Sequence, residues 1–290
     1  MSPSPHNPTL WTVSSVLLWT SRQFQKLDMD APRLSAELLL AHVLQCSRIA
    51  LYLEYDRPLE AQELRAYRSL IQRRCKGEPT QYLIGSKEFY LRPFLVDSRA
   101  LIPRFETELL VDFALEKLPK DQKARVADVG TGSGCIALSL ALERPELEIW
   151  ATDICKEALG LAQENCQHLG APQNLHWCEG NLLEPLPPMP FEMVVSNPPY
   201  LCAQELQNLQ REVSFEPKLA LDGGEDGMQL LFQLIHQAPR CLAPGGWLLL
   251  EIGEQQAEKI HQQLIEAGYV DIVIHQDWAG FHRIAQARLP

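Results

Sequence analysis

From Ala124 to the C-terminus the chain alternates short apolar runs with longer segments of helical period, and this restricts its fold more than any other feature of the 290 residues. Val126–Val129, Glu148–Thr152, Leu175–Cys178, Phe191–Ser196, Trp247–Ile252, Tyr269–Ile274 and Phe281–Ala287 read as strands, with Cys135–Glu143 and Glu157–Leu169 as helices between the first of them. Neighbouring parallel strands need a long crossover, which a helix provides. The pattern therefore predicts an α/β domain with a seven-stranded, mainly parallel, Rossmann-like sheet covered on both faces. Open sheets of this kind bind ligands at the carboxyl tips of their strands, so the residues that follow each run are the ones to read for chemistry.

The first part of the chain has a different texture. Residues 1–8, with three prolines, read as an irregular start. Helical periodicity follows over Thr9–Leu27, from Pro32 after Asp30, and from Ala61 up to the stop at Gly77 and Pro79. Residues 1–85 thus read as a small helical bundle. Its basic run Arg68, Arg73, Arg74, Lys76 reads as a solvated helix end, with a partner contact as the alternative. Residues 86–103 hold short β-rich pieces broken by proline and read as a β-hairpin linker, which leaves 104–290 as the α/β domain.

Bulk properties exclude several classes. No apolar run has the length of a membrane span, and Val13–Trp19 lacks the basic flank and cleavage site of a secretory signal. The eight cysteines form no C-x-x-C pair, so free thiols in a reducing cytoplasm are expected and no metal is expected. The net charge of −11 argues against a protein built around a phosphate backbone. It is also uneven: residues 1–85 carry 10 basic and 8 acidic side chains, a net of +2, and the remainder carries −13.

One strand end is unusual. Phe191–Val195 runs into Ser196-Asn197-Pro198-Pro199-Tyr200, and two prolines cannot extend a ladder. The strand must stop with an asparagine amide at its tip and an aromatic ring three residues on. A planar amide or exocyclic amine is a poor nucleophile because its lone pair is delocalised. The Asn197 side-chain oxygen and a freed backbone carbonyl can accept its two N–H bonds and aim it at an electrophile, while Tyr200 covers its plane. An ordinary strand-ending turn is the other reading of the same residues.

The tips of the earlier strands add a ligand. Gly130-Thr131-Gly132-Ser133-Gly134 lets the backbone approach a bound group at a helix start. Its G-x-G-x-G order departs from the dinucleotide pattern. Asp153, 23 residues after Gly130, can take both hydroxyls of a ribose, or can cap the next helix. Asn181, after the third strand, can meet an adenine edge, or can be an ordinary loop residue. As a set at consecutive tips they favour an adenosine-bearing ligand, and the glycine order leans to S-adenosylmethionine.

With these residues in view the chain resembles the seven-stranded S-adenosylmethionine-dependent methyltransferases, and Asn197-Pro-Pro-Tyr200 narrows the likeness to those that methylate planar nitrogens. Gly77-Glu-Pro-Thr-Gln-Tyr82, Ile102-Pro-Arg104 with Glu106-Thr-Glu108, Glu216-Pro217, Gly223-Gly-Glu-Asp-Gly227, Pro244-Gly-Gly246 and Leu250-Glu-Ile-Gly253 narrow it further. Together they resemble the release-factor glutamine methyltransferase family (PrmC/HemK), from about residue 30 to the end. The resemblance implies methyl transfer to the glutamine side-chain amide in the Gly-Gly-Gln loop of class I peptide chain release factors. It implies a cofactor site of Gly130, Thr131, Gly132, Ser133, Gly134, Asp153, Asn181, Leu182 and Asn197. The glutamine would be held by Asn197, Pro198, Pro199 and Tyr200, and the bundle and hairpin would dock the release factor. A monomer without stable nucleic-acid or membrane binding is expected. Two positions depart from the family pattern: Phe105 stands where proline is usual, so the entry into Glu106-Thr107 is open to a different backbone, and Asn181 where aspartate is frequent.

The mechanism expected from the residues is in-line displacement at the sulfonium methyl, with Asn197 and the Pro198 carbonyl accepting the two N–H bonds and Tyr200 packing on the amide plane. No strong base is required, because the nitrogen proton turns acidic only once the nitrogen is cationic, and Glu251 is not assigned as one. The alternatives are an adenine-amino methyltransferase acting on DNA or RNA, which would need a basic groove or a base-flipping domain, and a non-catalytic binding protein. A nicotinamide dehydrogenase has no motif in its favour.

Overall fold

The computed structural model describes residues 11–118, 120, 122–172 and 174–290; the irregular start expected at 1–8 lies outside them. The chain divides into two compact units, Met1–Gly85 and Ser86–Pro290.

The first unit is a bundle of α1 (Val13–Lys26), α2 (Pro32–Leu44), α3 (Arg48–Leu53), α4 (Ala61–Cys75) and α5 (Thr80–Ile84). Thr12 caps α1 through its hydroxyl, and Pro32 opens α2, where its missing N–H costs nothing. Val16, Leu17, Phe24, Leu39, Leu40 and Tyr67 fill the core. Glu37 is also inside, 2% exposed, and takes bonds from Arg33, Arg48 and Tyr52. Burial pushes its carboxyl up, but those three donors outweigh it and hold the group below the ordinary value. The basic run on α4 is not uniformly solvated. Arg74 is 1% exposed, because it continues the buried stripe of Tyr67 and Ile71 at spacings of four and three.

The second unit opens with the hairpin β1 (Ser86–Phe89) and β2 (Arg92–Leu95). A two-residue turn of this kind needs positive φ at both central positions. Tyr90 and Leu91 supply it, at 48° and 60°, and are held there by bonds from Tyr90 to Glu108 and Asp112. Phe89 and Phe94 are fully buried in the core of this unit. After α6 (Glu106–Lys117) come β3 (Arg125–Val129), α7 (Cys135–Glu143), β4 (Glu148–Asp153), α8 (Lys156–Leu169), β5 (Leu175–Glu179) and β6 (Phe191–Ser196). They are followed by α9 (Ala203–Gln207), α10 (Gln229–Gln237), β7 (Leu242–Glu251), α11 (Ala257–Glu266), β8 (Val270–Gln276) and β9 (His282–Arg288).

The seven strands from β3 onward form one sheet in the order β5-β4-β3-β6-β7-β9-β8. The first five are parallel to one another, and β9 runs antiparallel to both β7 and β8. The chain moves outward from β3 through β4 to β5 and then returns to lay β6 on the other side of β3. The direction of winding therefore reverses between β3 and β6, and a crevice opens above their tips. Val129 pairs with both Thr152 and Ser196, so the tips of β4, β3 and β6 lie level. The Ser196 hydroxyl donates to the Val129 carbonyl at 2.6 Å and ties two of them together.

Candidate active site

The glycine loop at the tip of β3 is pinned from beneath. Buried Asp128 accepts the Thr131 hydroxyl at 2.7 Å and the Ala137 N–H at 3.1 Å through the same oxygen. Burial outweighs these bonds and pushes its carboxyl up to about 7. Gly130 and Thr131 both donate to the Thr152 carbonyl at 2.9 Å. Gly134 has φ 80°, and a Cβ there would stand 3.0 Å from Leu138 and 3.1 Å from Ala162. Its hydrogen lets α7 start against α8.

Above this loop lies a cavity whose walls include Gly130 to Ser133, Asp153, Ile154, Asn181, Leu182, Asn197 and Pro199. Asp153 accepts the Gly132 N–H on one oxygen and the Cys155 N–H on the other, each at 2.9 Å. It therefore does cap the approach to α8, yet each carboxylate oxygen keeps a lone pair for a further donor. Burial raises its carboxyl above the ordinary range. Asn181 donates through Nδ2 to Glu184 at 3.3 Å, which leaves Oδ1 to accept. Leu182 sits at φ 48°, rare for a branched side chain, and the Thr152 hydroxyl holds its carbonyl at 2.9 Å. Ile154 is 55% exposed on the same wall. A carboxylate with open acceptor sites, an amide oxygen and two apolar side chains in one crevice fit a ribose and a flat base.

At the tip of β6 the Asn197 amide donates through Nδ2 to the Thr107 hydroxyl at 3.1 Å. That hydroxyl donates in turn to Glu251, 1% exposed at the end of β7, at 2.7 Å. Burial pushes the Glu251 carboxyl up to about 7, against the Thr107 bond. Among the described residues nothing engages Asn197 Oδ1 or the Pro198 carbonyl. Tyr200 is half-buried with its hydroxyl 3.5 Å from Glu251, too long for a strong bond. The chain beyond it is clamped: Gln256 donates to the Tyr200 and Gly227 carbonyls at 3.0 Å each. A Cβ on Gly227, where φ is 74°, would meet the Tyr200 carbonyl oxygen at 2.4 Å, so only glycine lets these segments pack.

Two further stretches of wall come from distant sequence: Leu101, Pro103 and Arg104, and Pro217, Leu219 and Ala220. One residue joins them. Glu216, with a side chain 2% exposed, accepts the Ile102 N–H at 2.9 Å and the Arg104 guanidinium at 2.6 Å. Phe105 has φ −62°, the value a proline would impose, so this departure from the family pattern leaves the entry into α6 unchanged in φ.

The expected site residues thus gather at the tips of β3, β4, β5 and β6, with exceptions. Gly134, Pro198 and Tyr200 do not line the cavity; Gly134 serves helix packing and Tyr200 faces Glu251. Thr107, Ile154 and Glu216 were not singled out for a role. Thr107 and Glu216 lie inside the Glu106-Thr-Glu108 and Glu216-Pro217 stretches that carry the family resemblance, whereas Ile154 has no signal beyond following Asp153.

The chain is similar to known proteins over nearly its whole length. Residues 15–85 match the family model of the PrmC N-terminal domain, and residues 107–214 that of the methyltransferase small domain. A release factor glutamine methyltransferase of Geobacter sulfurreducens is 40% identical over 283 residues, covering 97% of this chain and 98% of its own. One from Escherichia coli K12 is 40% identical over 271 residues, covering 93% and 97%. The crystal structure of a methyltransferase from Pyrococcus furiosus superposes with a TM-score of 0.51 at 17% identity, over 67% of this chain and 87% of that one. At that identity it shows the fold alone.

Proposed function

The chain belongs to the release factor glutamine methyltransferase family, and on that premise we propose that it moves a methyl group from S-adenosylmethionine to the side-chain amide nitrogen of the glutamine in the Gly-Gly-Gln loop of class I peptide chain release factors. The observation that carries this reading is Asn197 Oδ1, an acceptor without a partner among the described residues, on the cavity wall at the tip beside the glycine loop, with the equally unpaired carbonyl of buried Pro198 next to it in the chain.

Asp153 would accept the ribose hydroxyls, Asn181 Oδ1 would accept from the adenine amine, and Ile154 and Leu182 would cover the ring. When bound, the sulfonium supplies an electrophilic methyl carbon and its sulfur keeps the electrons of the broken bond. Asn197 and Pro198 each take one N–H of the substrate amide, which fixes its plane and turns the nitrogen lone pair to the methyl group. Orientation of this kind lowers the barrier because rotational freedom is spent on binding. The same two bonds strengthen as positive charge grows on nitrogen, so they favour the transition state over the ground state. The proton then passes to water. Tyr200 stands outside the cavity wall with its hydroxyl toward Glu251, and the bundle and the hairpin each contact the release factor. The eight free cysteines fit a reducing compartment such as the cytoplasm.

Incubation with methyl-labelled S-adenosylmethionine and either a purified class I release factor or DNA, followed by peptide mass mapping, tests the proposal. Label on the Gly-Gly-Gln glutamine is expected. Label on DNA and none on the release factor would refute it.

A further inference from the structure

An asparagine amide can sit in either of two orientations that differ by exchange of oxygen and nitrogen, and only one of them can accept an N–H. Nothing in the side chain itself chooses between them. Three linked observations at the tip of β6 do choose. The Asn197 Nδ2 lies 3.1 Å from Thr107 Oγ1, that hydroxyl lies 2.7 Å from Glu251 Oε2, and both Thr107 and Glu251 are 1% exposed.

A hydroxyl has one proton to give, and an ionised carboxylate can only accept. With Glu251 ionised, the Thr107 proton must point to Glu251, so the oxygen that faces Asn197 presents lone pairs alone. Asn197 must then present its NH₂ to Thr107 and its oxygen to the cavity. The reverse orientation would set the amide oxygen against a hydroxyl oxygen with no proton between them, inside a site where unmet polar groups are costly.

From this geometry we infer that Thr107 and Glu251 are positioning residues for methyl transfer, forming a one-way hydrogen-bond relay that holds the Asn197 amide oxygen toward the substrate nitrogen. The inference rests on the function proposed above and deepens it, because it explains how an asparagine is made into a dedicated acceptor. The relay spans three elements, the first turn of α6, the tip of β6 and the end of β7, and every member lies in the second unit.

The charge on Glu251 sets the direction of the relay. A protonated Glu251 could donate to Thr107, freeing the hydroxyl proton to point at Asn197 and removing the preference. Thr107 and Tyr200 contact Glu251, and Glu106, Arg104, Arg283 and Cys135 act on it through space. Of these, the two arginines favour the charged form and Glu106 opposes it.

The test uses the full chain with a release factor as substrate. Thr107→Val keeps the shape and removes the hydroxyl, and should lower kcat/KM for the release factor about tenfold, the worth of one oriented hydrogen bond. Cofactor affinity should stay unchanged. Thr107→Ser should restore activity. In an Asn197→Ala background the valine change should cost less than about twofold more, because Thr107 acts only through Asn197. A readout independent of turnover is the Asn197 side-chain NH₂ resonance in protein labelled with ¹⁵N-asparagine: slow to exchange in the parent and Thr107→Ser, fast in Thr107→Val. If Thr107→Val matches the parent in both rate and exchange, or its effect persists in full without Asn197, the relay is refuted. A parent protein that methylates no release factor would instead overturn the function, a distinguishable outcome.

Discussion

Replacing Glu251 by glutamine should make the fold less sensitive to pH, with a sign fixed by its surroundings. Glu251 is 1% exposed, and burial raises its carboxyl from an ordinary 4.5 to about 7 in the folded chain. A group raised in this way binds its proton more tightly folded than unfolded. Its stabilisation is therefore complete below pH 4.5 and is lost as pH climbs through about 7. That interval, at about 1.4 kcal/mol per pH unit, amounts to about 3 kcal/mol. Buried Asp128 acts in the same direction, from 3.8 to about 7, so the parent protein should lose stability between pH 4.5 and 8 through both groups. Carboxylates held low, such as Glu37, act below pH 4.5 and do not enter this window. Glutamine has nearly the same shape and can still accept the Thr107 hydroxyl, but it does not titrate. Urea unfolding of both proteins at several pH values isolates Glu251, because the Asp128 contribution cancels in the difference. The Glu251→Gln protein should gain on the parent by up to about 3 kcal/mol between pH 4.5 and 8. Parallel curves would refute the reasoning and place Glu251 among carboxylates that stay charged.

Other perturbations follow from the same geometry. Asn197→Ala should lower kcat by about 100-fold or more, in line with loss of an oriented charge-stabilising group, far more than it lowers cofactor affinity by calorimetry; a large loss of that affinity with unchanged kcat would reverse the assignment. Glu216→Ala leaves the Ile102 N–H buried without its acceptor, which costs about 1–3 kcal/mol, while the Arg104 guanidinium, a third exposed, can turn to water. Its melting temperature and cofactor affinity should both fall. Asp153→Ala should weaken S-adenosylmethionine binding at least tenfold by calorimetry, since bonds to a charged group contribute about 1.5–3 kcal/mol each. Gly227→Ala forces a methyl group against the Tyr200 carbonyl, so activity should drop even where circular dichroism shows the sheet intact.

Much of the sheet was legible because its strands are buried on both faces and its crossovers are helical, two periods that a sequence displays directly. All seven strands form, six of them with both ends within two residues of the expected range and β7 beginning five residues early, at Leu242. Residues such as Asp153 and Asn197 were legible for a related reason: each follows a strand, so topology assigns it to the same edge. Residues whose role depends on a partner far along the chain were not. Thr107 looks like an ordinary first-turn residue until Asn197, 90 positions on, is seen beside it. Glu216 is an acidic residue before a proline until it is found enclosed between Ile102 and Arg104. Arg74 misled in the opposite sense, since charge suggested solvent while helical spacing from Tyr67 and Ile71 turned it inward. The short helices α3 and α5 span too few residues for their period to register.

The most direct measurement of the central idea is a crystal structure of the protein with S-adenosylhomocysteine and a peptide containing Gly-Gly-Gln. The glutamine amide nitrogen should lie within hydrogen-bond reach of both Asn197 Oδ1 and the Pro198 carbonyl, with its open face to the sulfur. A glutamine bound elsewhere, or an Asn197 that turns its NH₂ to the peptide, would contradict it.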